Sequence, residues 1–255
     1  MNAPQLTVFQ MRFVNKAFWR NPASAFFTFA FPLMFLVIFT ALLGSGTLLL
    51  AGKEIHQSTY YVAEMAAFAV ITACFNNIAI GLTFQRDTGV LKRTDGTPLP
   101  AAVYLTARVL HAVLVAVLLV GITVAFGHFA YSADVPRGAT LGRFLVMLLV
   151  GSASFCSLGF AITAAIPNSD AAAPIVNGVI LPLLFLSGVF IPLGDNAPAW
   201  ISWVARIFPV RHFAAGLQAG FLGTPFNWTD VLVVAAWGVA GLLLAVRFFS
   251  WEPRT

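Results

Sequence analysis

The sequence predicts an all-α integral membrane protein with six transmembrane helices, on three observations. The chain of 255 residues is 60% hydrophobic and only 9% charged, with a mean hydropathy of +0.89. One water-soluble globule of this size cannot bury so much apolar surface, so lipid must cover the rest. Six apolar runs reach the roughly 20 residues that a helix rising ~1.5 Å per residue needs to cross a hydrocarbon layer about 30 Å thick. None of the runs alternates polar and apolar residues as a membrane barrel strand would.

Taken in chain order, residues 1–25 form an N-terminal interfacial segment. Leu6, Phe9, Phe13 and Ala17 share one helical stripe, with Arg12, Lys16 and Arg20 along its margin, a pattern suited to the inner leaflet and its anionic headgroups. The first span covers residues 26–43. It exceeds the apolar core of a signal peptide and five more spans follow it, so it is read as a retained helix despite the small residues Gly44, Ser45 and Gly46 behind it. The second span covers about 61–84, the third about 102–125, the fourth 141–166, the fifth 171 to about 189, and the last 231–249. All of residues 1–255 then make a single transmembrane domain.

Between the second and third spans lies a polar island, residues 85–100. It holds Arg86, Lys92 and Arg93 with Asp87 and Asp95, in a chain that has only 14 basic and 9 acidic residues. Gly89 permits a turn or a close backbone approach, and Val90 and Leu91 offer a small apolar contact flanked by charge. Gly96 and Pro98-Leu99-Pro100 end a short helix and fix the start of the third span. The island reads either as a solvated loop obeying the positive-inside rule or as a docking knob for a soluble partner.

The stretch 190–230 before the last span is too apolar for a solvated loop. Pro192, Gly194, Pro198 and Pro209 interrupt it, and Trp200, Ile201, Trp203, Val204, Ile207 and Phe208 give a short helix an aromatic face. An outer re-entrant or interfacial hairpin, buried against a partner subunit, fits this composition. Nine of the fourteen Lys and Arg residues, Arg254 among them, fall on one side if both termini are cytoplasmic, which sets the orientation and accounts for the net charge of +5 as topology. No basic soluble face remains to suggest nucleic acid. Cys74 and Cys156 lie inside spans without CxxC spacing, and the four histidines show no zinc-ligand pattern, so no metal site is expected.

Three motifs carry a resemblance. Gln85-Arg86-Asp87-x-Gly89-x-Leu91-x-Arg93 followed by Thr97-Pro98-Leu99 is similar to the cytoplasmic connection after the second helix in membrane (permease) subunits of the type-2 ABC exporters. Phe185-Leu186-Ser187-Gly188-Val189-Phe190-Ile191-Pro192-Leu193, then Pro198-x-Trp200 and Phe208-Pro209-Val210-Arg211, resembles that family's segment before its last helix. Arg20-Asn21-Pro22 ahead of a Phe-rich helix is the third. Gln85 stands where an acidic residue is common, and Thr94-Asp95 replaces the usual Leu. The resemblance implies a half-transporter of a bacterial plasma membrane that pairs with a second permease subunit, identical or homologous, and with two cytoplasmic ATP-binding cassette ATPases. It implies a partner-coupling role for Arg86, Asp87, Gly89, Leu91, Arg93 and Pro98, and points to the drug, lipid or peptide branch rather than the polysaccharide branch. Because no G-x-x-x-x-G-K-[ST] occurs, ATP and Mg are expected in the partner ATPase, with no cofactor and no enzymatic activity in this chain.

Candidates for a translocation path are the ridge Phe27, Phe31, Phe35 and Phe39, at i+4 steps beside Pro32, together with Glu64, Asn76 and Asn77. The ridge either faces a dimer cleft or fills an apolar interface. Asn76 and Asn77 bond across helices or line a passage, and Glu64 pairs with Arg143 or gates the outer end. Arg108 and His111 are expected to snorkel toward headgroups, and Gly151, Ser152, Ala153 and Ser154 to form a close-packing face. An ion-coupled secondary transporter would need membrane-centred carboxylates or paired broken helices, and an intramembrane enzyme a nucleophile with a base; the sequence offers neither convincingly.

Overall fold

The computed structural model describes residues 2–43, 46–50, 53–192 and 198–252. Gly44, Ser45, Leu193, Gly194 and Arg254 lie outside the described residues. Eleven α-helices are described: α1 (Ala3–Trp19), α2 (Pro22–Leu43), α3 (Gln57–Ile71), α4 (Asn77–Asp87), α5 (Val90–Asp95), α6 (Ala101–Tyr131), α7 (Ala139–Ile162), α8 (Ser169–Leu186), α9 (Ala199–Ile207), α10 (Pro209–Leu222) and α11 (Trp228–Phe248). A π-helical turn, Thr72–Asn76, joins α3 to α4 into one continuous span, Gln57–Asp87. Among the described residues, six helices are long and apolar enough to cross a membrane. They correspond one for one to the six runs read from sequence.

Boundaries shift at the ends. The second span and α6 each extend to 31 residues, or ~46 Å, so both overshoot the hydrocarbon layer and carry polar residues beyond it. The fourth span closes at Ile162, four residues before the sequence boundary, because the turn before Pro167 takes over. A two-stranded antiparallel hairpin, β1 (Thr47–Leu50) with β2 (Lys53–His56), lies between the first two spans. Sequence gave no sign of it, four-residue strands being too short for a period to register.

The Gln57–Asp87 span is the most buried of the six. It packs against α2, α6, α7, α8 and α10, and its Ala-rich run Ala63, Ala66, Ala67, Ala69 and Ala73 is sealed from the surface. In lipid such packing rests on close approach rather than on expelling water. The small-residue face of α7 behaves as expected: Phe213 covers Gly151, where a Cβ would come within 2.0 Å of its ring, and the Ser154 hydroxyl donates to the Val234 carbonyl at 2.8 Å. Gly238 brings α11 against Ser154, and Gly241 brings it against Ser157 and Leu158 a turn further along α7.

In the expected hairpin region, α9 exposes Trp200, Trp203 and Ile207, whereas α10 is largely buried against α3 and α7. Trp237 Nε1 donates to the Ile207 carbonyl at 2.9 Å, and Phe208 stacks on the Trp237 ring. His212 bridges Asp230 at 2.6 Å and the Arg206 carbonyl at 2.9 Å. These contacts staple α9 and α10 to the last span.

Helix α1 lies along α6. Phe9 and Phe13 of its apolar stripe are exposed, and Phe18 instead turns inward to pack edge-on against His111 at 5.4 Å.

Candidate functional site: a polar elbow and an aromatic cleft

The elbow begins where α4 stops. Thr88 returns its hydroxyl to the Phe84 carbonyl at 2.9 Å, and Gly89 takes a left-handed conformation, φ 72°, which glycine adopts without the Cβ penalty. The short helix α5 follows, with Arg93 donating back to the Gly89 and Thr88 carbonyls at 3.3 Å. Gly96 closes α5, Thr97 donates to Thr94 at 2.6 Å, and Pro98 and Pro100 lead into α6.

Arg86 and Leu91 are not offered to solvent as the sequence reading supposed. Arg86 is 3% exposed. Its guanidinium donates to the carbonyls of Thr163 at 3.1 Å, Ile166 at 2.8 Å and Pro167 at 3.1 Å, and its Nε meets Asp87 at 3.2 Å. The other Asp87 oxygen accepts from the Ser169 backbone N–H. Adjacent residues thus serve the two ends of one turn: the cation takes carbonyls at the C-terminal end of α7 and the anion takes a free N–H at the start of α8, each matched to the local helix dipole. A connection with no basic residue of its own borrows one from the island. Leu91 is fully buried beneath α5 and anchors it. Val90, Lys92, Arg93 and Pro98 are exposed, as are Thr88, Asp95, Gly96, Thr97 and Pro100, and the Lys92–Glu252 pair at 3.4 Å is a surface contact of little energetic weight.

The ridge stacks as spaced, with successive ring centroids 5.6, 6.3 and 6.0 Å apart from Phe27 to Phe39. It serves two environments. Phe39 stacks on Tyr61 and Phe190, and Phe35 packs against Phe68 and Phe190. Phe27 and Phe31 are exposed and, with Phe35, line a cleft of about 520 Å³ between α2, the second span and α8. Asn76 and Asn77 line the same cleft at the π turn, where Thr72 doubles its hydroxyl onto Phe68 and Ala69 at 3.0 Å each. Such bulges recur at functional positions. Asn76 donates to Asn177 of α8 at 3.2 Å. Asn177 is an amide inside a span that the sequence reading passed over, though its cost in lipid was the available signal.

Glu64 does not pair with Arg143, contrary to expectation. Arg143 is exposed, and Glu64 instead accepts a hydrogen bond from Gln218 of α10. Glu64, Tyr60, Arg211 and Gln218 line a separate polar cavity of about 180 Å³, at the other end of the second span from the elbow. Arg108 and His111 do not snorkel. Arg108 donates to Gln85 Oε1, which also accepts from the Tyr104 hydroxyl at 2.6 Å, and His111 is buried. Packing of α1 over this end of α6 removes their path to headgroups.

Six apolar spans, an aromatic cleft opening among them and a short polar helix at one end define a polytopic membrane permease. The chain belongs to the ABC-2 type transporter family, whose membrane-domain model matches residues 5–222. A protein of Porphyra purpurea named as the transport permease ycf38 is 24% identical over 222 residues, 86% of this chain and 75% of its own. One from Bacillus subtilis named as the transport permease YvfS is 25% identical over 231 residues, 89% of each chain. YbhR of Escherichia coli, named as a multidrug ABC transporter permease, is 25% identical over 135 residues, 53% of this chain and 36% of its own. The family carries an ABC transporter system with ATPase partners, and these relatives are named as permeases, not enzymes.

Proposed function

We propose that this chain is the permease subunit of an ATP-driven exporter that moves a hydrophobic or amphipathic compound, of the drug, lipid or peptide kind, across or out of a bacterial cytoplasmic membrane. It works beside a second permease subunit, with both termini cytoplasmic, and two separate ATPase chains bind the ATP and Mg. The observation that carries this reading is the elbow: α5 is fixed to α4 and α6 through short caps, and Arg86 and Asp87 tie α4 to the α7–α8 turn. A push on exposed Val90, Lys92 and Arg93 therefore reaches four spans without slack in a flexible loop. The multidrug name of a relative and the aromatic cleft support the substrate class.

The test is co-reconstitution with the ATPase encoded beside this chain, measuring hydrolysis and export of a fluorescent amphiphile in the same vesicles. ATP-dependent export that is lost in the double variant Val90→Asp, Arg93→Asp is expected. Full export without nucleotide would overturn the reading.

A further inference from the structure

The aromatic cleft does not end in an apolar wall. On its α1 side it adjoins a polar cavity of about 200 Å³, and Ser24, Asn77 and Gly81 line both. Asn21, Gln85, Arg108 and His111 line the polar chamber, and no carboxylate lines either one among the described residues. Two nitrogens on these lining side chains are buried without a hydrogen-bond partner among the described residues: Arg108 Nε and His111 Nε2, the latter on a side chain that is 3% exposed. Arg108 is held by Gln85, a neutral amide whose single oxygen accepts from both Arg108 and Tyr104. The guanidinium is therefore positioned but its charge is not cancelled. An uncancelled cation in a low-dielectric wall is costly, and a bound anion offsets that cost. On the other side, Phe27, Phe31, Phe35, Ile180 and Leu181 give the cleft an apolar lining long enough for an alkyl or aromatic tail.

We propose that the paired chambers form one binding site for an amphiphile with an anionic head, a phosphate or carboxylate, seated at Arg108 and His111 with its tail along Phe27, Phe31 and Phe35. Gln85 is the specificity element, since it fixes the guanidinium without neutralising it. Calling the bound molecule a substrate rests on the exporter reading above; the binding does not.

The experiment uses the full chain in phosphatidylcholine nanodiscs and radiolabelled dodecyl phosphate, counted against empty nanodiscs. Saturable binding at least about ten-fold tighter than that of dodecyltrimethylammonium is expected, the discrimination of one charge-assisted contact. Inorganic phosphate should compete only at concentrations at least about 100-fold higher, because it leaves the aromatic chamber empty. Arg108→Gln and the near-isosteric Gln85→Glu should each weaken dodecyl phosphate about ten-fold, Arg108→Lys much less, and Phe31→Ala should weaken both amphiphiles alike. Equal binding of the cationic amphiphile, parental affinity in Gln85→Glu, or equal competition by inorganic phosphate would each overturn the assignment, and none of the three depends on whether Arg108→Gln folds. If the ATPase complex exports cationic amphiphiles while dodecyl phosphate fails to bind, the site falls and the exporter reading stands. If dodecyl phosphate binds as stated but nucleotide drives no movement, the exporter reading falls and the site stands.

Discussion

Arg86 donates to the carbonyl of Ile166 at 2.8 Å, across 80 residues of sequence. A buried guanidinium thereby holds the turn between the fourth and fifth spans to the elbow that follows the second. Its removal leaves the Ile166 and Pro167 carbonyls without the guanidinium, whereas the Thr163 carbonyl keeps the Ile166 N–H at 3.3 Å and Asp87 keeps the Ser169 N–H. Arg86→Met should lower stability by about 3–5 kcal/mol, the range for breaking one side of a buried charged network. Asp87→Asn, which keeps an acceptor for Ser169, should do less harm. Thermal unfolding of the detergent-solubilised chain, followed by size-exclusion chromatography, checks both.

Within the elbow, neighbouring apolar residues should respond oppositely. Leu91 is fully buried and Val90 is 37% exposed. Leu91→Asp places a charge under α5 and should prevent accumulation of folded protein. Val90→Asp should leave the melting profile unchanged and reduce co-purification with the ATPase. Equal loss of folded protein in both variants would contradict the assigned faces.

Gly89 provides a finer probe. Its φ of 72° meets no neighbouring atom within 4 Å, so strain alone opposes a side chain. Gly89→Ala should cost about 1–2 kcal/mol, and Gly89→Asn less, because Asn tolerates the left-handed region. ATP hydrolysis coupled to export should fall in the same order.

Helix packing predicts a matched pair. A Cβ on Gly238 would stand 2.4 Å from Ser154 Oγ and 2.9 Å from its Cα, whereas one on Gly121 would meet nothing within 4 Å. Gly238→Ala should destabilise by about 1–3 kcal/mol as α11 is forced off α7. Gly121→Ala should match or slightly exceed the parent, alanine being the better helix former.

The two halves of the aromatic ridge should also separate. Phe35→Ala removes ring contacts with Phe31, Phe39, Phe68 and Phe190 and should lower the melting temperature. Phe27→Ala, on an exposed ring in the cleft, should leave it unchanged. Substrate-stimulated hydrolysis should change in both, and only in Phe35→Ala should that change track stability.

Much of this was legible in the residues. The number and order of spans followed from run length against bilayer thickness, since each helix satisfies its own backbone and must be apolar along most of its length. The π turn at Thr72–Asn76 and the β1–β2 hairpin were not legible, being one turn and two four-residue strands with no periodic signal of their own. Glu64 was flagged correctly as a costly polar group, yet its partner, Gln218, lies 154 residues away on α10 and not on the fourth span. Charge sign pointed to Arg143, whereas packing brought the amide.

By itself, the sequence determined the membrane class, six helices, the elbow's location and the family it resembles, because these depend on local hydrophobicity and on motifs read in order. Only the tertiary structure decided which way the polar residues face: Arg86 and Leu91 inward, Arg108 to Gln85, Asn76 to Asn177, and the ridge divided between core and cleft. In lipid a polar group must find a partner within the protein, and which partner is near depends on how distant helices pack.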